Sequence, residues 1–477
     1  MAVSVLERET ATKSPAQSPW LRRWAHKLRT ERLRRKLIGL GHPYDFSREE
    51  IIEMVSAVQK DDIKALFQND PFLYNFVLAH WEYAHGVAEV ESYPWEVVIP
   101  IADLCNASCS FCNSWLRGRK LLKLKEIDSF REVLPYAAMI GLEGHGEPLM
   151  HPQFREIVRT LRGLIDSRCR SYIITNAYHL DEHLDDLIAL GVNVYNISLN
   201  AASAETHELV MDLGKDGFDR AISAIKRLVN ERESGGRKHF AINVSMVITA
   251  ENMHEVAAFV RMANELRVDL INLRTLLPLS GPVAGLNYHL LPAYKAPDFE
   301  RHAAEARQAI AESKVAINAD PDNWAAPIFP PDLEEKYKTE PPPTLSREEA
   351  KRELLSDRKT EVNQLMAVKT RGEKSPEGSV ELIQETRRGD RQAWYRCWDL
   401  YHILHMNDFY FFLRPCCFME RTPGYEWIKY DGSYPFMQAW NSPAMVQLRQ
   451  SLVEGPMHNM CTLCPSQKQH RTGPGFA

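Results

Sequence analysis

From residue 95 onward, short apolar runs alternate with longer segments whose apolar residues recur every three or four positions. Short runs rich in β-branched residues predict strands, and the longer periodicity predicts amphipathic helices. The predicted strands are 95–101, 138–143, 171–175, 192–199, 240–248 and 270–276. The predicted helices are 127–137, 153–166, 180–190, 216–233, 253–267 and 298–314. Strands that alternate with helices predict right-handed crossovers and a parallel sheet, so the fold class is α/β. Six units favour a partial (β/α)6 TIM-like barrel.

The pattern changes on either side of this region, and we divide the chain accordingly. Residues 1–93 form a polar, disordered start and a helical extension, and residues 94–280 form the partial barrel. Residues 281–390 are Pro-broken and then highly charged, which indicates an inserted linker and helix, either a lid or solvated surface. Residues 391–477 form a small C-terminal α+β domain.

The basic part of the helical extension spans residues 22–36, where eight Lys or Arg residues accompany one acid, Glu31. Such a stretch contacts a membrane surface, a nucleic acid or another anionic partner, or it is a solvated helix that lies on the main domain. We favour the solvated helix.

Polar side chains recur where the predicted strands end. Cys105 follows the first strand, Glu147 the second and Asn176 the third, while Ser198 and Asn200 end the fourth. In parallel α/β folds the chemistry sits at the carboxyl ends of the strands. The sequence therefore predicts a functional site at this edge; Asn243, Ser245 and Arg274 on later strands are weaker candidates.

Three cysteines lie within eight residues after the first strand, in Cys105-Asn-Ala-Ser-Cys109-Ser-Phe-Cys112. Three thiolates cannot complete a tetrahedral zinc site or a four-iron cluster, so one coordination position stays open for a substrate or cosubstrate. A zinc site with its fourth ligand elsewhere in the chain is the alternative.

Composition narrows the class of protein. The 477 residues are 44% hydrophobic and 25% charged, which describes a globular chain, and no apolar run is long enough for a membrane span. The start lacks the apolar core of a secretory signal, so we expect a cytoplasmic protein. Nine cysteines in a reducing compartment then favour metal binding over disulfides. The net charge of −5 argues against a nucleic-acid-coating protein.

The first cysteine group resembles the signature of radical S-adenosylmethionine (SAM) enzymes, including the aromatic Phe111 before the last cysteine. The resemblance implies that Cys105, Cys109 and Cys112 hold a 4Fe-4S cluster whose fourth iron binds SAM. One electron then splits SAM into methionine and a 5'-deoxyadenosyl radical, which takes hydrogen from an unactivated C-H bond. A low-potential electron donor such as flavodoxin or ferredoxin is implied as well.

The same resemblance assigns SAM-binding roles to residues at the strand ends. Gly146, Glu147 and Pro148 match the family's Gly-Gly-Glu-Pro turn, with His145 in place of one glycine, and Gly144 adds further backbone freedom. Whether His145 also does acid-base work stays open.

Two further strand-end positions, Ser198 and Asn200, resemble the strand-four residues that bind the SAM ribose and carboxylate, and Asn176 is a weaker candidate. The alternative for Ser198 and Asn200 is a cap for a helix that begins near Ser203.

The C-terminal cysteines resemble the SPASM or shorter twitch extension of radical SAM enzymes. The resemblance implies a second, auxiliary 4Fe-4S cluster, held by Cys397, Cys416, Cys461 and Cys464. Cys417 could replace Cys416, and structural zinc is the alternative metal. A Cys417 that is not a ligand is a candidate hydrogen-atom donor.

The resemblance implies an enzyme that acts on a peptide or small biosynthetic molecule. The auxiliary cluster would take an electron from a substrate radical, which gives net oxidation or cross-linking, or it would bind the substrate directly. Redox-neutral epimerisation with a cysteine hydrogen donor is the first alternative. A metal-stabilised, non-enzymatic binding protein is the second, and the metal content would distinguish it.

Overall fold

A computed structural model describes residues 48–56, 58–112, 120–234, 240–276, 292–325, 397–407, 412–414 and 428–454, with isolated positions 31 and 35. The helices are α1 (Arg48–Ser56), α2 (Lys60–Phe67), α3 (Pro71–His85), α4 (Phe154–Arg162), α5 (Leu180–Ala189), α6 (Ala204–Met211), α7 (Gly217–Ser234), α8 (Val256–Leu266), α9 (Phe299–Glu312), α10 (Asp399–His402), α11 (Phe436–Trp440) and α12 (Pro443–Glu454). The strands are β1 (Glu96–Pro100), β2 (Met139–Glu143), β3 (Arg170–Thr175), β4 (Val194–Ser198), β5 (Ala241–Ile248), β6 (Leu270–Thr275), β7 (Ala316–Asn318), β8 (Ile403–Asn407), β9 (Phe412–Arg414) and β10 (Ile428–Lys429).

The strands form one sheet in the order β10-β9-β8-β1-β2-β3-β4-β5-β6-β7. The eight strands from β8 through β7 are parallel, and β9 and β10 run antiparallel at one edge. Helices surround this sheet, as in a partial TIM-like barrel, so the predicted α/β class is confirmed. Strands β1 to β6 lie within two residues of their predicted bounds.

The parallel sheet is wider than the predicted six units. β7 pairs with β6, so the first described part of the predicted 281–390 insertion continues the barrel. β8, from the predicted C-terminal domain, pairs in parallel with β1. The pattern of alternating strands and helices did not predict these two strands. Strand β7 has only three residues, and a long segment of chain separates β8 from β7.

Two further predictions differ from the structure. The helix predicted at 127–137 is instead two 3₁₀ segments, Leu124–Phe130 and Leu134–Tyr136. Pro135 lacks the backbone N–H that a continuous α-helix needs at that point. The predicted helices given above also leave out α6, although the alternative role of Ser198 and Asn200 included a helix that begins near Ser203. Helix α6 does begin after Ser203, whose hydroxyl accepts a hydrogen bond from the Thr206 N–H.

Alternation along the strands separates a helix-facing side from an interior-facing side. On β5, Ile242, Val244 and Met246 join the hydrophobic core beneath the helices. The residues between them, Asn243 and Ser245, therefore face the barrel interior.

Helices α1 to α3 lie within the predicted helical extension, and α3 packs on α10. The basic stretch 22–36 lies outside the described residues apart from Glu31 and Arg35, which form an ion pair. None of the described helices combines the length and apolar character that a bilayer crossing requires.

The fully buried Arg449 joins the C-terminal helices to the rest of the fold. Its guanidinium donates to the carbonyls of Leu400 (2.8 Å) and Ala88 (3.2 Å) and to Asn441 Oδ1 (3.1 Å). Burial lowers the pKa of Arg449 to about 10, so it stays charged at neutral pH. One side chain therefore links α12 to α10 and to the segment before β1.

Arg449→Leu should lower the free energy of unfolding by about 2–3 kcal/mol, because buried carbonyl oxygens would lose their donors. Arg155→Leu is the control: it removes a surface ion pair with Asp186 and should cost less than about 1 kcal/mol. Anaerobic chemical denaturation measures both, and equal losses would contradict the anchoring role of Arg449.

Candidate functional site

The three cysteines lie in a loop at the carboxyl end of β1. Cys105, Cys109 and Cys112 are each partly buried. The loop is fixed to the end of α6, because the Ser108 N–H donates to the Met211 carbonyl (3.1 Å) and the Ser110 N–H donates to that of Val210 (2.8 Å). The predicted position of the cysteine group at this edge of the sheet is confirmed.

The surroundings of the thiols suit metal coordination. Burial raises the pKa of Cys105 to about 12, with the charges of Glu147 and Cys112 adding to the effect. A thiolate at Cys105 therefore needs a bound cation. The Ala107 N–H already lies 3.4 Å from Cys105 Sγ, and Cys109 Sγ lies 3.4 Å from Met211 Sδ.

The turn after β2 packs directly on the start of the cysteine loop. The Gly146 N–H donates to the Ala102 carbonyl and the Glu147 N–H to the Leu104 carbonyl, both at 2.9 Å. A Cβ on Gly146 would collide with the backbone of residues 102–104, and one on Gly144 would crowd the Ala102 carbonyl. Both glycines thus permit a close approach of backbone to backbone within the protein.

Glu147 is buried, and three donors meet its carboxylate. The Leu149 N–H (3.2 Å) and the Thr175 hydroxyl (2.7 Å) donate to Oε1, and the Asn176 N–H (2.7 Å) donates to Oε2. Burial raises the pKa of Glu147 to about 7 despite these bonds. Glu147 therefore holds the ends of β2 and β3 together beneath the cysteine loop.

Asn176 extends this network to the cysteine loop itself. Its Nδ2 donates to Asn106 Oδ1 (2.8 Å), and its Oδ1 accepts from the Tyr178 N–H (3.0 Å). Its side chain is thus committed to protein partners, one of which directly follows Cys105. The predicted SAM-binding roles of Glu147 and Asn176 stay predictions, but both residues lie at the predicted edge.

Ser198 and Asn200 differ in their surroundings. Asn200 is buried at a positive φ of 59°, and its Oδ1 accepts from the Val247 N–H (2.8 Å) while Nδ2 contacts Met211 Sδ (3.0 Å). Ser198, paired with Ser245 across the strands, is partly exposed. Neither side chain caps α6; Ser203 does. Their predicted roles toward SAM stay predictions.

Phe111 lies where the cysteine loop meets the later strands. It packs on one side against the apolar cluster formed by Ala107, Val210, Met211 and Leu213, and on another against Leu276, just after β6. Its predicted contact with a cofactor stays a prediction, and its ring closes one side of the site.

The barrel interior below the cysteine loop is polar. The interior-facing polar residues of the described strands include Glu96, Glu143, Tyr172, Asn196, Ser198, Asn243, Ser245, Asn272 and Arg274. Tyr172 reaches across β2 to donate to Glu96 Oε1 (3.2 Å), and a Cβ on Gly141 would collide with the Tyr172 hydroxyl. Such a lining is typical of a cavity that binds a polar ligand, whereas a packed core would be lined by apolar side chains.

Cys397 lies at the opposite end of the barrel. It precedes α10 and β8, and the first residue of β8 pairs with Glu96, the first residue of β1. Strand β1 has five residues, about 16 Å, so Cys397 and the other cysteine group lie near opposite ends of this strand. Cys416, Cys417, Cys461 and Cys464 lie outside the described residues.

The described donor set fits an iron-sulfur cluster better than a single metal ion. Among the described residues, no three His, Cys, Asp or Glu side chains converge closely enough to hold one ion. A 4Fe-4S cluster does not require such convergence, because each cysteine binds a different iron. Three thiols on one loop match that ligand pattern and leave one iron open.

Sequence reasoning missed three contributors to the site. Glu251 accepts a hydrogen bond from the Ser110 hydroxyl (2.7 Å), and Met211 contacts Cys109. Asn106 Oδ1 accepts a hydrogen bond from the side-chain amide of Asn176. Glu251 follows β5 at the same edge and could have been found by that position. The other two carry no signal in the sequence.

Residues 99–263 match the family model of the Radical SAM superfamily. A relative from Pyrococcus furiosus, named a tungsten-containing aldehyde ferredoxin oxidoreductase cofactor-modifying protein, is 32% identical over 191 residues, 38% of this chain and 51% of that protein. GTP 3',8-cyclase 1 of Mycobacterium tuberculosis is 31% identical over 138 residues, 27% of this chain and 38% of the cyclase. The chain spans about half the length, or less, of these curated relatives.

Among solved structures, SuiB of Streptococcus suis aligns with a TM-score of 0.46 at 14% identity, covering 80% of this chain and 73% of SuiB. The family match covers β1 to β5 and the cysteine loop. Residues 99–263 are therefore a radical SAM domain, which belongs to a superfamily of enzymes. Such a domain implies a 4Fe-4S cluster and SAM as cofactors.

The interior carboxyl of Glu96 predicts a pH dependence of stability. Burial, followed by the charges of Asp399 and Glu143, raises the pKa of Glu96 from 4.5 to about 8. The folded state keeps a proton that the unfolded state releases between these values. The free energy of unfolding should therefore fall as pH rises from about 5 to about 8, by at most ~1.4 kcal/mol per pH unit.

Glu96→Gln should remove this contribution and make the profile of unfolding free energy against pH shallower. Glu300→Gln, at an exposed position, is the control and should keep the wild-type profile. Anaerobic denaturation at several pH values measures both; parallel profiles for wild type and Glu96→Gln would contradict the assignment.

Proposed function

We propose that this chain is a radical SAM enzyme that binds a 4Fe-4S cluster through Cys105, Cys109 and Cys112 and acts on a polar substrate held in the barrel interior. The observation that carries the proposal is the cysteine loop, which presents three thiols at the carboxyl ends of parallel strands within the matched domain. The open iron of such a cluster is the position for SAM.

A 4Fe-4S cluster held by Cys105, Cys109 and Cys112 would supply the electron for reductive cleavage of SAM, and this cleavage would provide the radical chemistry that removes hydrogen from the substrate. The chain's own residues position the reactants. The turn at 144–148 and the end of α6 hold the cysteine loop, and Phe111 limits access from the β6 side. Ser198 faces the interior close to the carboxyl ends and is the candidate for a ribose hydroxyl.

We further propose an auxiliary 4Fe-4S cluster at the other end of the barrel, with Cys397, Cys416, Cys461 and Cys464 as ligands. Cys397 supports this position, because it precedes α10 and β8 at the amino end of the parallel strands. A substrate in the interior would lie between the two clusters. That arrangement favours net oxidation or cross-linking, because an acceptor for the substrate's electron is close by.

The interior also restricts the chemistry of the substrate. Glu143 faces the interior at the carboxyl end of β2, so a polyphosphate placed beside its carboxylate would bring like charges together in a buried space. The relatives named GTP 3',8-cyclase act on GTP, as their name states. For this chain we instead propose a peptide or small molecule with amine, amide or hydroxyl groups at this end, and flavodoxin or ferredoxin as electron donor.

Cys105→Ala should lose about four irons and the reductant-dependent release of 5'-deoxyadenosine from SAM, because two cysteines cannot hold the first cluster. Iron and sulfide assays with chromatography of the nucleoside measure both. Cys169→Ala is the matched control, since Cys169 is buried in the core beneath the helices and should leave both quantities unchanged. Zinc in place of iron in wild type would favour a metal-stabilised binding protein.

Cys397→Ala should lose the second set of about four irons while the protein still cleaves SAM, because the first cluster lies at the other end of the barrel. Iron content and 5'-deoxyadenosine formation are measured side by side. Wild-type iron content in this variant would remove Cys397 from the ligand set.

A further inference from the structure

The cysteine loop contains a buried donor for which the described part of the chain offers no hydrogen-bond acceptor. Asn106, which directly follows Cys105, has its Nδ2 buried, with no hydrogen-bond acceptor among the described residues. A buried amide group without an acceptor is energetically unfavourable, because it has lost its hydrogen bonds to water. Because this donor lies next to Cys105, a candidate metal ligand, we expect a bound cofactor or substrate to supply its acceptor.

The orientation of this amide follows from its neighbours. The Tyr178 backbone N–H can only donate, so the atom of Asn176 that faces it must be Oδ1. Asn176 Nδ2 then faces Asn106, so Asn106 must present Oδ1 to it, at 2.8 Å. The Asn106 NH₂ group is thereby turned away from Asn176. The assignment thus rests on a chain of obligatory donors and acceptors.

Asn176 is itself held in place by the buried carboxylate of Glu147. The Asn176 N–H donates to Glu147 Oε2 at 2.7 Å, and the Thr175 hydroxyl donates to Oε1, also at 2.7 Å. Both Glu147 and Asn176 are more than nine-tenths buried. Glu147 and Asn176 therefore fix the direction in which Asn106 donates.

We propose that Asn106 Nδ2 donates a hydrogen bond to an anionic acceptor of the bound cluster and SAM, and that Glu147 and Asn176 act as positioning residues for it. This inference rests on the proposed function. Two acceptors share the required chemistry: a sulfur of the cluster and the carboxylate of SAM at the open iron. Each predicts a different measurement.

A donor to a cluster sulfur stabilises the reduced, more negative cluster and raises its reduction potential. A donor to the SAM carboxylate strengthens SAM binding and leaves the potential of the SAM-free cluster unchanged. A charge-assisted hydrogen bond contributes about 1.5–3 kcal/mol, so its loss should weaken SAM binding by about tenfold or more.

The test uses Asn106→Asp, which keeps the oxygen that accepts from Asn176 and replaces the donor, and Asn106→Leu, which has nearly the same shape and adds no charge. Ser110→Ala is the control for loosening of the loop. It removes the hydrogen bond from the Ser110 hydroxyl to Glu251 and leaves the Asn106 NH₂ group in place. For each reconstituted full-length protein, iron content, the midpoint potential of the first cluster by electron paramagnetic resonance, and the Kd for SAM are measured anaerobically.

A lower potential in both Asn106 variants, with Ser110→Ala at the wild-type value, supports the cluster sulfur as acceptor. An unchanged potential in Asn106→Leu with an approximately tenfold higher Kd assigns the SAM carboxylate. Unchanged potential and Kd in both Asn106 variants would overturn the proposal. So would loss of iron from both while Ser110→Ala stays loaded, because Asn106 would then only shape the loop.

These outcomes are separate from failure of the proposed function itself. If wild type carried no iron, or carried it and failed to cleave SAM, the proposed function would fail before any Asn106 variant was compared. If the wild-type protein cleaves SAM and only the Asn106 variants change in cluster potential or in Kd for SAM, the result concerns the Asn106 donor alone.

Discussion

The packing of the turn after β2 on the backbone that leads into the cysteine loop is the constraint on which the site depends. Gly146 brings the two backbones into hydrogen-bonding distance, and a side chain there would push them apart. Glu147, the next residue, carries a carboxylate into the protein, where three donors from two segments converge on it. The cysteine loop thus lies on a base of backbone contacts and buried hydrogen bonds, which fixes the first thiol relative to the sheet.

The same constraint changes how the glycine-rich turn is understood. From the sequence, Gly144 and Gly146 provide freedom for a ligand to approach. In the structure their immediate neighbours are the backbone atoms of residues 102–104, so their small size first serves the attachment of the loop. These two roles are compatible, because a turn that is rigid on its protein side presents its other atoms in a fixed geometry.

The sequence predicted the central fold well because the signals were local. Strands β1 to β6 are apolar runs bounded by polar turns, and the helices between them show a clear period. What it missed depends on distant parts of the chain or on short elements. β8 lies about 130 residues beyond β6 along the chain and pairs with β1, which no local pattern reveals. The 3₁₀ segments before β2 bury Ile127 and Phe130 as the predicted helix would, but Pro135, within the second segment, rules out one continuous α-helix over 127–137.

For the site as well, the sequence predicted the local features and missed the contacts between distant parts of the chain. The cysteine spacing and the strand-end positions are visible in the sequence because they are local. The partners of Glu147, Asn176 and Asn200 are not visible, since each hydrogen bond joins segments far apart in the chain. Asn106 shows the difference most clearly. It occupies a spacer position within the cysteine motif, where spacing carries no information about side chains, and its orientation follows only once the Tyr178 N–H and the Glu147 carboxylate are in place. The spacing of a cysteine motif thus indicates which sulfur atoms are candidate metal ligands. The tertiary fold determines which neighbouring hydrogen-bond donors lie close enough to stabilise negative charge on a group bound there.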